Sequence, residues 1–315
     1  MMGGHVRTGT IAAAIAAATL LLVTGCASEH DNPFEGKMLY VDPDSSAANA
    51  AASESDATSR AAFERLASTP SAIWLLPEEH PTASIASYVA GVQADAVSKG
   101  QLTTYVVYGI PSRDCGNFSA GGTTSADYHD WIVGIAEGIG TTKTTLILEP
   151  DALALSPECG TEAATATFLN DAIGALSASN AAIYLDGGHS NWLPAEQMAQ
   201  LLEAAGVDRV RGFATNVSNY NATAAEHEYG ERLSALVGGA HYVVDTSRNG
   251  NGSNGEWCNP AGRALGDTPS GVSGAGAQDA NLWIKTPGES DGNCNGGPSA
   301  GQWWPESALA LVRGN

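Results

Sequence analysis

The sequence predicts an α/β fold: a distorted seven-stranded parallel β/α barrel (TIM-like) built as a single domain. Three observations predict it. Short apolar runs rich in β-favouring residues recur along the chain, with the composition of strands buried on both faces. Ala-rich stretches with helical spacing lie between them, and strand-then-helix alternation implies parallel strands joined by right-handed crossovers. The 315 residues are 43% hydrophobic and 15% charged, which supplies one large core and excludes a disordered chain.

In order, strands are expected at 72–76, 104–110, 145–148, 182–185, 210–214, 242–244 and 282–284. Helical spacing falls between them, for instance at 83–98, 126–139, 162–176, 195–205 and 224–236. Seven such units suit a barrel better than an open doubly wound sheet. The open sheet would want a Gly-rich phosphate loop after an early strand, and the Gly116–Gly122 stretch lacks that spacing. The late segments 246–255 and 267–281 read as long polar, Gly-rich loops of the kind that carry binding.

The N-terminus reads as a targeting segment. Arg7 is followed by an apolar run over 11–23 and then Val23-Thr24-Gly25-Cys26, which resembles a bacterial lipobox. Residues 1–25 are therefore expected to be a signal peptide, Cys26 the lipidated residue, 26–31 a short tether and 32–315 the barrel. Without acylation the segment would act as an ordinary secretory signal. Removing 1–25 takes away only Arg7 among charged groups and moves the formal charge from −20 to −21. Such acidity argues against nucleic acid as a partner and leaves the membrane only through the lipid. A monomer is expected.

Cys115, Cys159, Cys258 and Cys294 remain, and four cysteines in an exported chain imply two disulfides with three possible pairings. Their spacing lacks the close pairs of a zinc site, so no metal is expected. Cys115 and Cys159 follow the second and third strands; Cys258 and Cys294 follow the sixth and seventh. Pairing between neighbouring loops gives Cys115–Cys159 and Cys258–Cys294.

Several polar groups fall at strand ends: Asp114, Asp151, Asp186, Asn216, Asp245 and, after the last strand, Glu289 and Asp291. In a barrel these ends face one cleft. Crowded carboxylates without a close His pair imply a group that keeps its proton near neutrality. Glycoside hydrolysis uses that arrangement, one carboxyl protonating the leaving oxygen while another activates water or attacks. Trp74, Tyr108, Trp192 and Trp257 offer flat apolar faces suited to sugar rings.

Six blocks carry a family resemblance. They are Tyr108-Gly109-Ile110-Pro111-Ser112-Arg113-Asp114-Cys115-Gly116, Leu148-Glu149-Pro150-Asp151 and Tyr184-Leu185-Asp186-Gly187-Gly188-His189-Ser190-Asn191-Trp192. Ala214-Thr215-Asn216-Val217-Ser218-Asn219-Tyr220, Asp245-Thr246-Ser247-Arg248-Asn249-Gly250-Asn251-Gly252 and Trp283-Ile284-Lys285-Thr286-Pro287-Gly288-Glu289-Ser290-Asp291-Gly292 follow in order. From Asn32 onward the chain resembles glycoside hydrolase family 6, the cellulases and cellobiohydrolases. The resemblance implies hydrolysis of β-1,4-glucan with inversion and no cofactor. By motif, Asp151 matches the general acid, Asp114 the group that raises its pKa and relays a proton, and Asp291 the position proposed for the base. Tyr108 would lie under the reacting sugar. Trp74, Asp186, His189, Trp192, Asn216, Trp257, Lys285 and Glu289 match substrate-binding or supporting positions.

Within the resemblance, the modest segment between Trp257 and Trp283 favours an open cleft and attack on internal bonds of cellulose or a related β-glucan. A chain-end enzyme or a hydrolase of a cell-envelope β-glucan is the alternative, and an inactive glucan-binding lipoprotein a remote one. No second module or Pro/Ser/Thr linker is evident, so soluble or amorphous glucan is the expected substrate.

Overall fold

Seven parallel strands curve into a nearly closed barrel in a computed structural model that describes residues 1–5, 32–274 and 276–314. Cys26 and the residues read as signal core and tether lie outside the described residues. The chain divides into two units, Met1–Asp31 and Asn32–Asn315. Residues 1–5 carry no regular structure, and everything below concerns the second unit.

The order is β1 (Met38–Leu39), α1 (Ser46–Ser53), α2 (Ala57–Ala67), β2 (Ile73–Leu75), α3 (Thr82–Ser98), β3 (Gln101–Val107), α4 (Tyr128–Ile139), β4 (Thr144–Leu148), α5 (Ala152–Cys159) and α6 (Glu162–Leu176). Then come β5 (Ala181–Asp186), α7 (Ala195–Ala204), β6 (Gly212–Thr215), α8 (Thr223–Leu236), β7 (His241–Asp245), β8 (Ser270–Gly271), β9 (Gln278–Leu282) and α9 (Pro305–Arg313). The barrel runs β2-β3-β4-β5-β6-β7-β9, all parallel; β1 extends the β2 edge of β3, and β8 is antiparallel to β9. Ala72 N–H donates to the Trp283 carbonyl at 2.9 Å, which joins the last strand back to the first.

Period-two alternation sorts the side chains. Trp74, Val106, Ile147 and Tyr184 lie in register and face the barrel interior with Ala214, Val243 and Ala280. Their neighbours Leu75, Tyr105, Leu146, Leu148 and Leu185 face the helices. Both faces are dry, which explains why these strands read as unbroken apolar runs. Helices α1, α2 and α9 cover the β9–β2 seam through Phe63, Leu66 and Ala308 against Trp283.

Two expectations about the last strand need correction. The seventh strand is Gln278–Leu282 rather than 282–284, and all of it but Leu282 lies, with β8, inside the segment read as a loop. The cause is Asp279, buried at 1% exposure. Its carboxylate accepts from Tyr184 Oη at 2.6 Å and from Arg211 Nε and Nη2 at 2.8 Å. Partners so distant in sequence leave no local apolar signal. Helices α1, α2, α5 and α9 were likewise not foreseen.

The disulfides are Cys115–Cys159 and Cys258–Cys294, closing 44 and 36 residues. In the chain-entropy account each such closure stabilises by roughly 4 kcal/mol. Tight packing also sets one glycine. A Cβ on Gly109, just past β3, would sit 2.5 Å from the fully buried Trp131 ring. Gly109→Ala should therefore destabilise the barrel by about 1–3 kcal/mol in urea unfolding; an unchanged midpoint would contradict this packing.

Candidate active site

The carboxylates foreseen at the strand ends converge at the C-terminal mouth. Beyond β4, Asp151 takes a left-handed backbone (φ 67°), as does Glu149 (φ 51°). Asp151 N–H donates to Asp186 Oδ2 at 2.9 Å, so the ends of β4 and β5 are tied by the groups they present. Asp186 also accepts from Gly188 N–H at 3.2 Å. Burial raises the Asp151 carboxyl well above the usual range, and the charges of Asp186, Asp114 and Asp291 push it further. Burial likewise raises Asp186 to about 7, against its two amide donors.

Beyond β3, Tyr108 is buried at 5% exposure, with its ring edge-on to Trp74 at 5.2 Å. Its hydroxyl shares a 2.8 Å hydrogen bond with Ser119 Oγ. Ser119 donates from N–H and Oγ to Asp114 Oδ2 at 2.9 and 2.8 Å. Tyr108, Ser119 and Asp114 thus form one hydrogen-bonded chain. Arg113 holds the loop: its guanidinium donates to the Tyr108 carbonyl at 2.6 Å and the Ser119 carbonyl at 2.8 Å, and lies over the Tyr108 ring.

Asp291 is held by three partners of its own. Its Oδ1 pairs with the buried Arg248 at 2.9 Å, while Oδ2 accepts from Tyr220 Oη at 2.7 Å and Asn259 N–H at 3.0 Å. Asp245, at the end of β7, is fully buried and accepts from the amides of Ser218, Ser247, Ile284 and Lys285. It knots the β6, β7 and β9 loops together. Asn216 bridges the same region, donating to the Asp245 carbonyl at 2.9 Å and accepting from Asn221 N–H at 3.1 Å.

The remaining positions matched by motif to sugar contacts line the rim. Lys285 Nζ lies 3.8 Å from Glu289 and 5.4 Å from the Trp74 ring centroid. These three border a cavity of about 320 Å³ between β2 and the loop after β9. His189, whose pKa burial lowers to about 4, lies 5.4 Å from the Trp192 ring. Trp257 is 56% exposed on the loop after β7. Among the described residues no three of His, Cys, Asp and Glu converge as a metal-holding group.

Sequence reasoning passed over Glu149, Arg113, Arg248, Ser119 and Tyr220. Glu149 is buried at 1% exposure and accepts from Gly109 N–H, Ile110 N–H and Tyr128 Oη at 3.0, 3.0 and 2.9 Å. Burial raises its pKa to about 7. All five stand within or beside the blocks already quoted, but their partners are set only by the fold.

A parallel barrel with a carboxyl group enclosed by burial and by further carboxylates, beside aromatic faces, is the arrangement of a glycoside hydrolase site. The family model of glycosyl hydrolases family 6 matches residues 34–315, and the chain belongs to that family. It is 44% identical to Endoglucanase A of Cellulomonas fimi, covering 87% of this chain and 60% of that protein. It is 42% identical to Endoglucanase 1 of Streptomyces halstedii, covering 87% and 88%. The chain thus spans less than two thirds of the first relative's length and most of the second's. The fold is similar to the endoglucanase Cel6 from Mycobacterium tuberculosis, solved with a thio-linked cello-oligosaccharide: TM-score 0.85, 42% identity, 90% of this chain and 99% of that one.

Asp186 and Glu149 both have folded-state pKa values raised from 3.8 and 4.5 to about 7. The stability they contribute is full below about pH 4 and is lost as pH rises through 7. The thermal midpoint should fall between pH 5 and pH 8, and fall less in Asp186→Asn. A midpoint that rises over this range would contradict the assignment.

Proposed function

We propose that this chain is an endo-acting β-1,4-glucanase that inverts the anomeric centre and uses Asp151 as general acid. The observation that carries the reading is the enclosure of Asp151 by burial and by three carboxylates, which keeps a proton available near neutrality. Asp151 protonates the glycosidic oxygen, and the bond to the anomeric carbon breaks through an oxocarbenium-like transition state. Water adds to the opposite face of the sugar ring. Its proton passes towards Asp114, whose Oδ2 is held by Ser119 N–H and Oγ. Asp291 is engaged by Arg248, Tyr220 and the Asn259 amide, so it serves better to orient and to hold negative charge than to accept that proton.

Tyr108 supports the reacting sugar from below, held by Ser119 and Arg113. Trp74, Lys285 and Glu289 grip the glucan on one side, and His189 and Trp192 on the other. Asn216, expected from the sequence to touch substrate, is fully buried with its amide spent on the Asp245 and Asn221 backbone, so it holds the loop instead. Trp257 completes the contacts, and the buried Asp186 supports Asp151 from behind. The endo assignment follows the relatives: four bacterial proteins named endoglucanase are 39–44% identical, whereas a probable cellobiohydrolase C of Aspergillus niger is 32% identical.

The enzyme is exported and held at the envelope through a lipid on Cys26. Two disulfides fit an oxidising compartment. Among the described residues no helix is long and apolar enough to cross a membrane. Radiolabelled palmitate should enter the full-length chain in a bacterial host and be lost in Cys26→Ala; label retained in the variant would place the lipid elsewhere.

The acid role has its own test. Asp151→Asn should lower the viscosity-reducing rate on carboxymethyl cellulose by at least about a hundredfold. It should largely spare cello-oligosaccharides with a nitrophenol leaving group, which departs without a proton. Equal loss on both substrates would exclude Asp151 as the acid.

A further inference from the structure

Two exposed aromatic rings meet at the mouth of the barrel. Phe118, 48% exposed, stands on the loop after β3, and Trp257, 56% exposed, on the loop after β7. Their ring centroids are 5.8 Å apart at an interplanar angle of 49°. Between β3 and β7, on the side of the seam, lie only β2 and β9. The ring contact therefore bridges the side of the mouth that presents Trp74, Lys285 and Glu289.

The bases of this bridge are fastened. Phe118 lies three residues past Cys115, which is bonded to Cys159; Trp257 adjoins Cys258, which is bonded to Cys294. Gly292, next to Asp291, lets Phe118 settle close, since a Cβ there would come within 2.7 Å of the Phe118 Cβ. The rings still keep about half their surface in water, so each gains little from the other and retains a flat face to offer.

We propose that Phe118 is a substrate-contacting residue, and that Phe118 and Trp257 form an aromatic arch that parts to admit an internal glucan segment and closes over it. The proposal rests on the glucanase reading above. Two ring faces close over the apolar faces of a glucan chain without a continuous protein roof, so entry needs no chain end. The arch is coupled to the chemistry, because the residue after Phe118 is Ser119, which bonds both Asp114 and Tyr108. Closure of the rings over glucan sets that hydrogen-bonded chain; parting them loosens it. The arch also discriminates by width, since substituents on the sugar hydroxyls hold the rings apart.

The test compares the parent enzyme with Phe118→Ala, Phe118→Leu and Phe118→Trp. On amorphous cellulose the ratio of soluble to insoluble reducing ends reads successive cuts per encounter. Phe118→Ala and Phe118→Leu should lower this ratio by about two- to tenfold, the faster release expected from losing one aromatic contact. Both should also raise activity on heavily substituted carboxymethyl cellulose relative to a lightly substituted one. Phe118→Trp should keep the parental values. The Leu variant keeps bulk on the loop, which separates loss of the flat ring from a loosened loop. An active parent whose two ratios survive Phe118→Ala and Phe118→Leu overturns the arch alone. A parent inert on both polymers overturns the glucanase reading and the arch together.

Discussion

A carboxyl group that must keep its proton near neutrality is the constraint around which these strand ends are arranged. Asp151 is crowded by Asp186, Asp114 and Asp291, a cluster that would dissipate if any member could swing into water. None is free to do so. Asp186 is fixed by the Asp151 and Gly188 amides, Asp114 by Ser119, and Asp291 by Arg248, Tyr220 and Asn259. The perturbation of Asp151 is thus a property of the scaffold rather than of one contact.

That scaffold carries backbone strain. Glu149 and Asp151 both sit in the left-handed region, at about 1–3 kcal/mol each for residues bearing a Cβ. The buried Glu149 carboxylate offsets this by binding the Gly109 and Ile110 amides of the neighbouring strand end. The same contact fixes where Tyr108 leaves β3 relative to where Asp151 leaves β4. On the far side of the mouth Asp245 does the equivalent for three loops through four backbone amides. Two buried carboxylates therefore act as structural knots, and those around Asp151 act on its proton. Hydrogen-bond supply divides the roles: Glu149 and Asp245 accept three or four bonds each, whereas Asp151 makes its bond through the backbone.

Much of this was legible in the sequence where cause and effect are local. An apolar run ending at Pro111 or at Pro150 marks a buried strand and its exit, and the Asp behind it marks the site. Adjacent strands make the nearest-loop disulfides the natural pairing. Trp257 could be read as exposed from its Gly- and Asn-rich surroundings. What stayed illegible depends on distant partners. β9 hid because Asp279 is buried by Arg211 and Tyr184, 68 and 95 residues away. The restraint on Asp291 comes from Arg248 and Tyr220, on loops set beside it only when β6, β7 and β9 align. Glu149 looked like part of a motif, but its role appears only when β3 lies next to β4.

The central claim is electrostatic, and it is tested most directly by titrating Asp151 itself. Difference spectra of carboxyl-¹³C-aspartate-labelled enzyme, parent minus Asp151→Asn, isolate that one group across pH. The account predicts a midpoint well above the ordinary aspartate value of 3.8, moving down when Asp114 is replaced by Asn. A midpoint near 3.8 in the parent, indifferent to Asp114, would mean that the barrel does not hold a proton on Asp151 and that the acid lies elsewhere.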